Sequence, residues 1–137
     1  MTAKQMLVMY LFTLAIFFLI DMIWLGVVAR RFYRRHLGPM LSPKVNWGAA
    51  LLFYLLFIVG LLIFVIRPAL TGGQPLKAIF FGSLFGLISY ATYDLTNLAT
   101  LRDWPIVVTV VDLIWGAFLG GVVSFVSAVL GRHLLKL

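Results

Sequence analysis

Apolar residues fall into four long runs, at about 6–28, 47–66, 77–98 and 105–130, separated by short polar stretches. The first run, about 23 residues, would reach roughly 34 Å as a helix, enough to cross a hydrocarbon core near 30 Å. The pattern predicts an all-α fold: one domain, 1–137, built as an integral membrane bundle of four transmembrane helices with antiparallel neighbours. The first run is too long for the apolar core of a cleaved signal peptide, and three more come after it, so it is expected to stay as a helix.

The polar breaks refine this plan. Residues 29–46 carry Arg30, Arg31, Arg34, Arg35, His36 and Lys44, with Pro39 and Pro43 against any long helix, and predict an exposed basic loop at the headgroups. His36 reads as one more solvated residue. The second run has no charge and is expected to end at Arg67-Pro68, with Trp47 and Tyr54 as interface anchors or space-fillers. The next turn contains Gly72-Gly73 without the rest of a phosphate-binding pattern. On the third run Gly82, Gly86, Tyr90 and Asp94 form one i+4 row; on the fourth, Asp112, Gly116, Gly120, Ser124 and Ala128 form another. A short connection at 99–104 makes these two helices a hairpin. Their glycines then meet at one end and their aspartates at the other.

Asp21, Asp94 and Asp112 lie within apolar runs, where an ionisable group costs roughly 2.5–3.5 kcal/mol on insertion scales. Asp21 precedes the basic connection by about two helical turns, and Asp112 comes after the third connection by about the same interval. Those connections share one side of a four-span topology, so the three acids are expected in one leaflet at similar depth. Tyr90 and Asn97 share the face of Asp94, with Tyr93 adjacent, while Trp24 and Trp115 stand three residues beyond their aspartates. The repeat of Asp21-Met22-Ile23-Trp24 as Asp112-Leu113-Ile114-Trp115 suggests a pseudo-symmetric site. Asp21, Trp24, Tyr90, Tyr93, Asp94, Asn97, Asp112 and Trp115 are therefore the candidate ligand- or proton-binding residues. The alternative is that the acids hydrogen-bond across helices and fix register, with the tryptophans and tyrosines as packing or interface residues.

Composition narrows the chemistry. The chain is 64% hydrophobic and 11% charged, with a formal charge of +7, no cysteine and four acidic residues, all aspartate. Disulfides and thiolate metal sites are excluded, and the basic residues, which flank apolar runs, point to lipid headgroups and not to nucleic acid. No cofactor or metal is expected.

The run Tyr93-Asp94-Leu95-Thr96-Asn97-Leu98-Ala99-Thr100, followed by Trp104-Pro105 and by Asp112 with Trp115, resembles the signature of a bacterial multi-pass membrane protein family, domain-of-unknown-function family 2177. The resemblance covers essentially the whole chain, including Asp21 to Gly26, and implies membrane placement and helix count without a reaction. Function classes stay open on the residues alone. Clustered carboxylates beside aromatic rings suit binding or translocation of a small solute or protons. Asp94 and Asn97 with a second aspartate could hold Mg²⁺ against a lipid phosphate, although no nucleophile motif supports acyl transfer. The charge-free second helix and small-residue faces suit a non-catalytic role, as a homo-oligomer or beside a membrane partner. The Arg30–Arg35 cluster outweighs Lys4 around the first helix, which places the basic connection in the cytoplasm and both termini outside an inner membrane.

Overall fold

The computed structural model describes residues 1–136. Helix α1 (Ala3–Ile23) starts at a capping box, in which Thr2 Oγ1 accepts the Gln5 N–H at 3.1 Å and Gln5 Oε1 accepts the Thr2 N–H at 2.8 Å. Two otherwise orphaned donors are thereby satisfied. The helix then widens into a π turn over Trp24–Val28, closed by the Ala29 N–H on the Trp24 carbonyl at 2.8 Å. The extra residue in that turn rotates the chain beyond Val28 relative to α1.

The basic connection is not the expected loop. Residues Arg30–Leu37 form a short helix, α2, continued by a 3₁₀ turn at Gly38–Met40. The prolines lie beyond this helix, so they limit its length without preventing it. Ala29, Tyr33 and Leu37 recur at i, i+4, i+8 and give it one inward face, while its four arginines stay exposed. Leu37 is buried against Trp104 and Val108, with Phe32, Tyr33 and Leu98 around them. Helix α2 thus lies across the loop end of the bundle.

Helix α3 (Trp47–Leu61) is capped by Asn46, whose Oδ1 accepts the Ala49 N–H at 3.2 Å. It too passes into a π turn, Leu62–Ile66, and continues as α4 (Arg67–Thr71). The second span therefore runs through Pro68 instead of stopping there. A proline inside an α-helix clashes with the preceding turn and removes one bond; the wider π turn, which bonds Arg67 N–H to the Leu62 carbonyl, makes room for the ring.

Helices α5 (Lys77–Thr100) and α6 (Ile106–Leu134) complete the set. The membrane-length segments are Ala3–Val28, Trp47–Thr71, Lys77–Thr100 and Ile106–Leu134. Asp103, at φ 62°, adopts the left-handed conformation that an aspartate tolerates and turns the chain between α5 and α6. These two helices make the most extensive pairing in the molecule. They approach so closely that a Cβ built on Gly86 would stand 2.0 Å from the Gly116 carbonyl oxygen, and one on Gly120 2.2 Å from that of Gly82. The glycine rows meet as the sequence predicts.

The core is formed where α1, α3, its π turn and α6 converge, with Met9, Phe17, Ile58, Leu61, Ile66, Leu119 and Val123 fully buried. Large apolar side chains also cover the outside: Leu19, Phe64, Phe80 and Ile114 are each more than 60% exposed. Such a surface is stable against lipid tails and not against water.

Candidate functional site

The two Asp-x-x-Trp units meet at the loop end of the bundle. Asp21 on α1 accepts hydrogen bonds from Tyr54 Oη on α3 at 2.8 Å and from Trp115 Nε1 on α6 at 3.3 Å. Trp24, which belongs to the Asp21 unit, donates its Nε1–H to Tyr33 Oη at 3.2 Å, and that hydroxyl donates to Asp112. Each unit thus provides an indole N–H for the other's carboxylate, directly in one case and through Tyr33 in the other. The two indoles stack, centroids 4.3 Å apart and planes within 8°. Antiparallel helices make this exchange possible, because Asp21 lies near the end of α1 and Asp112 near the start of α6.

Asp94 lies deeper. It is fully buried, and neither carboxyl oxygen has a hydrogen-bond donor among the described residues. Asp112 is near enough to interact with it electrostatically. Its backbone carbonyl is held by Thr109 Oγ1 at 3.4 Å, and Thr109 in turn accepts the Trp104 Nε1–H at 3.0 Å. This chain of bonds clamps the start of α6 to the end of α5, and so sets the spacing between Asp94 and Asp112. On α2, outside the spans, burial raises the pKa of Tyr33 above that of an ordinary phenol, and the adjacent Asp112 raises it further. Tyr33 therefore stays protonated and keeps donating.

These groups border a cavity of about 850 Å³. Asp21 and Asp112 face it, together with Trp24, Trp115, Tyr54, Tyr90 and Tyr93. Arg30 and Arg34 of α2 line it as well, as does Leu41 beyond α2. Of the residues singled out in the sequence, Asp21, Trp24, Tyr90, Tyr93, Asp112 and Trp115 border the cavity. Asp94 is one layer behind, beside Asp112. Asn97 is not on the wall: the side of α5 that faces the cavity is formed by Ser89, Tyr90 and Tyr93, and Asn97 falls beyond it. Tyr33 and Tyr54, which donate to the two acids, were not among the predicted residues. Tyr33 sits in a run of arginines that reads as solvated, and its one signal was the apolar i, i+4 spacing of Ala29, Tyr33 and Leu37. Tyr54 is a lone phenol midway along a charge-free span, and such a hydroxyl needs an acceptor.

A bundle of four membrane-length helices, with carboxylates and aromatic rings around a cavity at one end, defines a multi-pass membrane protein. The chain belongs to the family of predicted membrane proteins designated DUF2177, whose model matches residues 6–129. No curated protein and no solved structure matches it.

Proposed function

We propose that the protein binds a small solute in the acid and aromatic pocket and moves it across the membrane in exchange for protons. The observation that carries this reading is the convergence of Asp21 and Asp112 on one cavity of about 850 Å³, walled by stacked indoles and tyrosines. Carboxylates attract a cationic or hydrogen-bond-donating group, and aromatic faces hold its apolar body. Asp94 supports the proton half of the reading. Asp94 has no hydrogen-bond donor among the described residues, so a proton carried on it, or shared with the neighbouring Asp112, would satisfy a carboxyl that is otherwise buried and bare. A cation arriving at Asp112 competes with that proton.

The same reading places the mouth of the pocket in the cytoplasmic leaflet of an inner membrane, with Arg30, Arg31, Arg34 and Arg35 on the cytoplasmic side and both termini outside. Proteoliposomes with a trapped pH dye test the exchange. Adding an organic cation such as ethidium should drive proton movement that wild-type protein supports and Asp112→Asn does not. Equal traces from wild-type, variant and protein-free vesicles, over a panel of organic cations, refute it.

A further inference from the structure

Charges of both signs border the one cavity: Asp21 and Asp112 from the spans, Arg30 and Arg34 from α2. The acids take their hydrogen bonds from neutral donors, Asp21 from Tyr54 and Trp115 and Asp112 from Tyr33. These bonds use two sites on Asp21 and one on Asp112, of the roughly four that a carboxylate offers. Acceptor capacity therefore remains on both. Helix α2 also sorts its arginines. Arg30 follows Ala29 and Arg34 follows Tyr33, so each stands about 100° round the helix from an inward position, and both line the cavity. Arg31 and Arg35 stand about 200° round, on the far face, and do not line it. Arg30 and Arg34 are four residues apart, so their side chains rise side by side and can converge on one group. Like charges at that spacing weaken a helix, and an anion held between them removes the penalty. Tyr33, between them in sequence, bonds Asp112, so the helix that presents the guanidinium pair also fixes its relation to that acid.

We infer that the pocket takes a zwitterion in which a primary amine is joined to a phosphate by a short alkyl linker. The amine donates to Asp112 and Asp21, the phosphate is held between Arg30 and Arg34, and the stacked rings of Trp24 and Trp115 flank the linker. A primary ammonium has three N–H groups to fill the open sites on the acids, whereas a trimethylated one has none. Phosphate fits the arginine pair better than carboxylate does: one bidentate arginine saturates a carboxylate, and phosphate oxygens accept from two. This chemistry occurs in free phosphoethanolamine and in the headgroup of phosphatidylethanolamine. The inference rests on the pocket reading above and names its ligand.

Tryptophan fluorescence of the purified full chain reports binding, because Trp24, Trp104 and Trp115 border the cavity. Phosphoethanolamine should bind saturably, and phosphocholine about tenfold or more weakly, the scale of a lost charge-assisted hydrogen bond. Arg30→Gln with Arg34→Gln should weaken phosphoethanolamine by about ten- to a hundredfold and leave ethidium bound as tightly or more so. Arg31→Gln with Arg35→Gln removes the same charge from the far face and should leave phosphoethanolamine binding as in wild type; unchanged circular dichroism certifies that each variant is folded. Dihexanoyl phosphatidylethanolamine identifies the source: tighter binding than phosphoethanolamine, with the same arginine dependence, makes the ligand a lipid headgroup, and equal or weaker binding makes it a free solute. The proposal is overturned if the Arg30 and Arg34 variant binds phosphoethanolamine as tightly as wild type, or if the Arg31 and Arg35 variant loses as much affinity. Phosphocholine that binds as tightly as phosphoethanolamine overturns it too. If ethidium binds with dependence on Asp112 while phosphoethanolamine and its lipid do not bind, the ligand assignment falls and the pocket reading stands. If neither these nor any other organic cation perturbs the tryptophans, both fall.

Discussion

Gly86→Ala tests the contact that positions the site. The new Cβ would sit 2.0 Å from the Gly116 carbonyl oxygen and 2.9 Å from its carbon. That is roughly 1.4 Å short of ordinary contact, and the obstacle is backbone, so no side-chain rotation relieves it. Helices α5 and α6 must separate. Overpacking of this kind costs about 1–3 kcal/mol, and the close backbone contact that a small-residue interface depends on is lost as well. Gly26→Ala is the matched control, because a Cβ there meets nothing within 4 Å. With reduced freedom in the unfolded chain, it should be neutral or stabilising by up to about 1 kcal/mol. The two variants should therefore differ by about 1–4 kcal/mol, at least roughly fivefold in the folding equilibrium. Reversible unfolding in mixed micelles of dodecyl maltoside and dodecyl sulfate, followed by tryptophan fluorescence, measures that difference. A separation below about 0.5 kcal/mol would refute the backbone contact itself.

Tyr33→Phe leaves the Trp24 N–H and Asp112 without their shared partner and should cost about 1–3 kcal/mol, with faster amide exchange in α2. Because burial raises the Tyr33 pKa, its contribution is complete below the ordinary phenol value of 10.0 and declines as pH rises above it, so the same variant should flatten the alkaline arm of the stability profile. An unchanged arm argues against a buried phenol. The stacked indoles should give an exciton couplet in circular dichroism that Trp24→Phe and Trp115→Phe abolish to the same extent; a couplet surviving either change rules out the stack. Asp21→Asn keeps one acceptor oxygen, for the Trp115 N–H, and an amide N–H that the Tyr54 hydroxyl can accept, so it should be tolerated better than Asp21→Leu, which strands both donors, by about 1–3 kcal/mol in the micelle titration. Equal stability of the two would show that those donors are satisfied elsewhere.

Much of the bundle is legible in the sequence because a bilayer imposes simple demands: long apolar runs become spans, and close helix pairs need small residues where they touch. The rows through Gly86 and Gly116 encode that contact directly. The two π turns are less visible, since nothing in Trp24–Val28 or Leu62–Ile66 marks an extra residue per turn; the one signal is Pro68, just beyond the second, which a regular helix would not admit. Helix α2 is concealed for a different reason. Its arginines dominate the composition, and its three inward residues matter only once Trp104 and Val108 are there to receive Leu37. Depth along a span could be estimated from residue counts, which brought Asp21 and Asp112 to one level. Rotation about the helix axis could not be settled by spacing alone: Asn97 shares a side with Asp94 and still falls beyond the wall that Ser89, Tyr90 and Tyr93 form.

The exchange of indole donors between the two Asp-x-x-Trp units bears on how the protein is made. Asp21 enters the bilayer with the first helix, yet one of its donors, Trp115, is encoded 94 positions later, and Trp24 cannot stack until that residue arrives. During synthesis the amino-terminal hairpin holds a carboxylate that Tyr54 alone attends to. Insertion of the last helix is thus the event that closes the electrostatics of the first, and a chain released before α6 would be marked for quality control by an acid with half its partners missing.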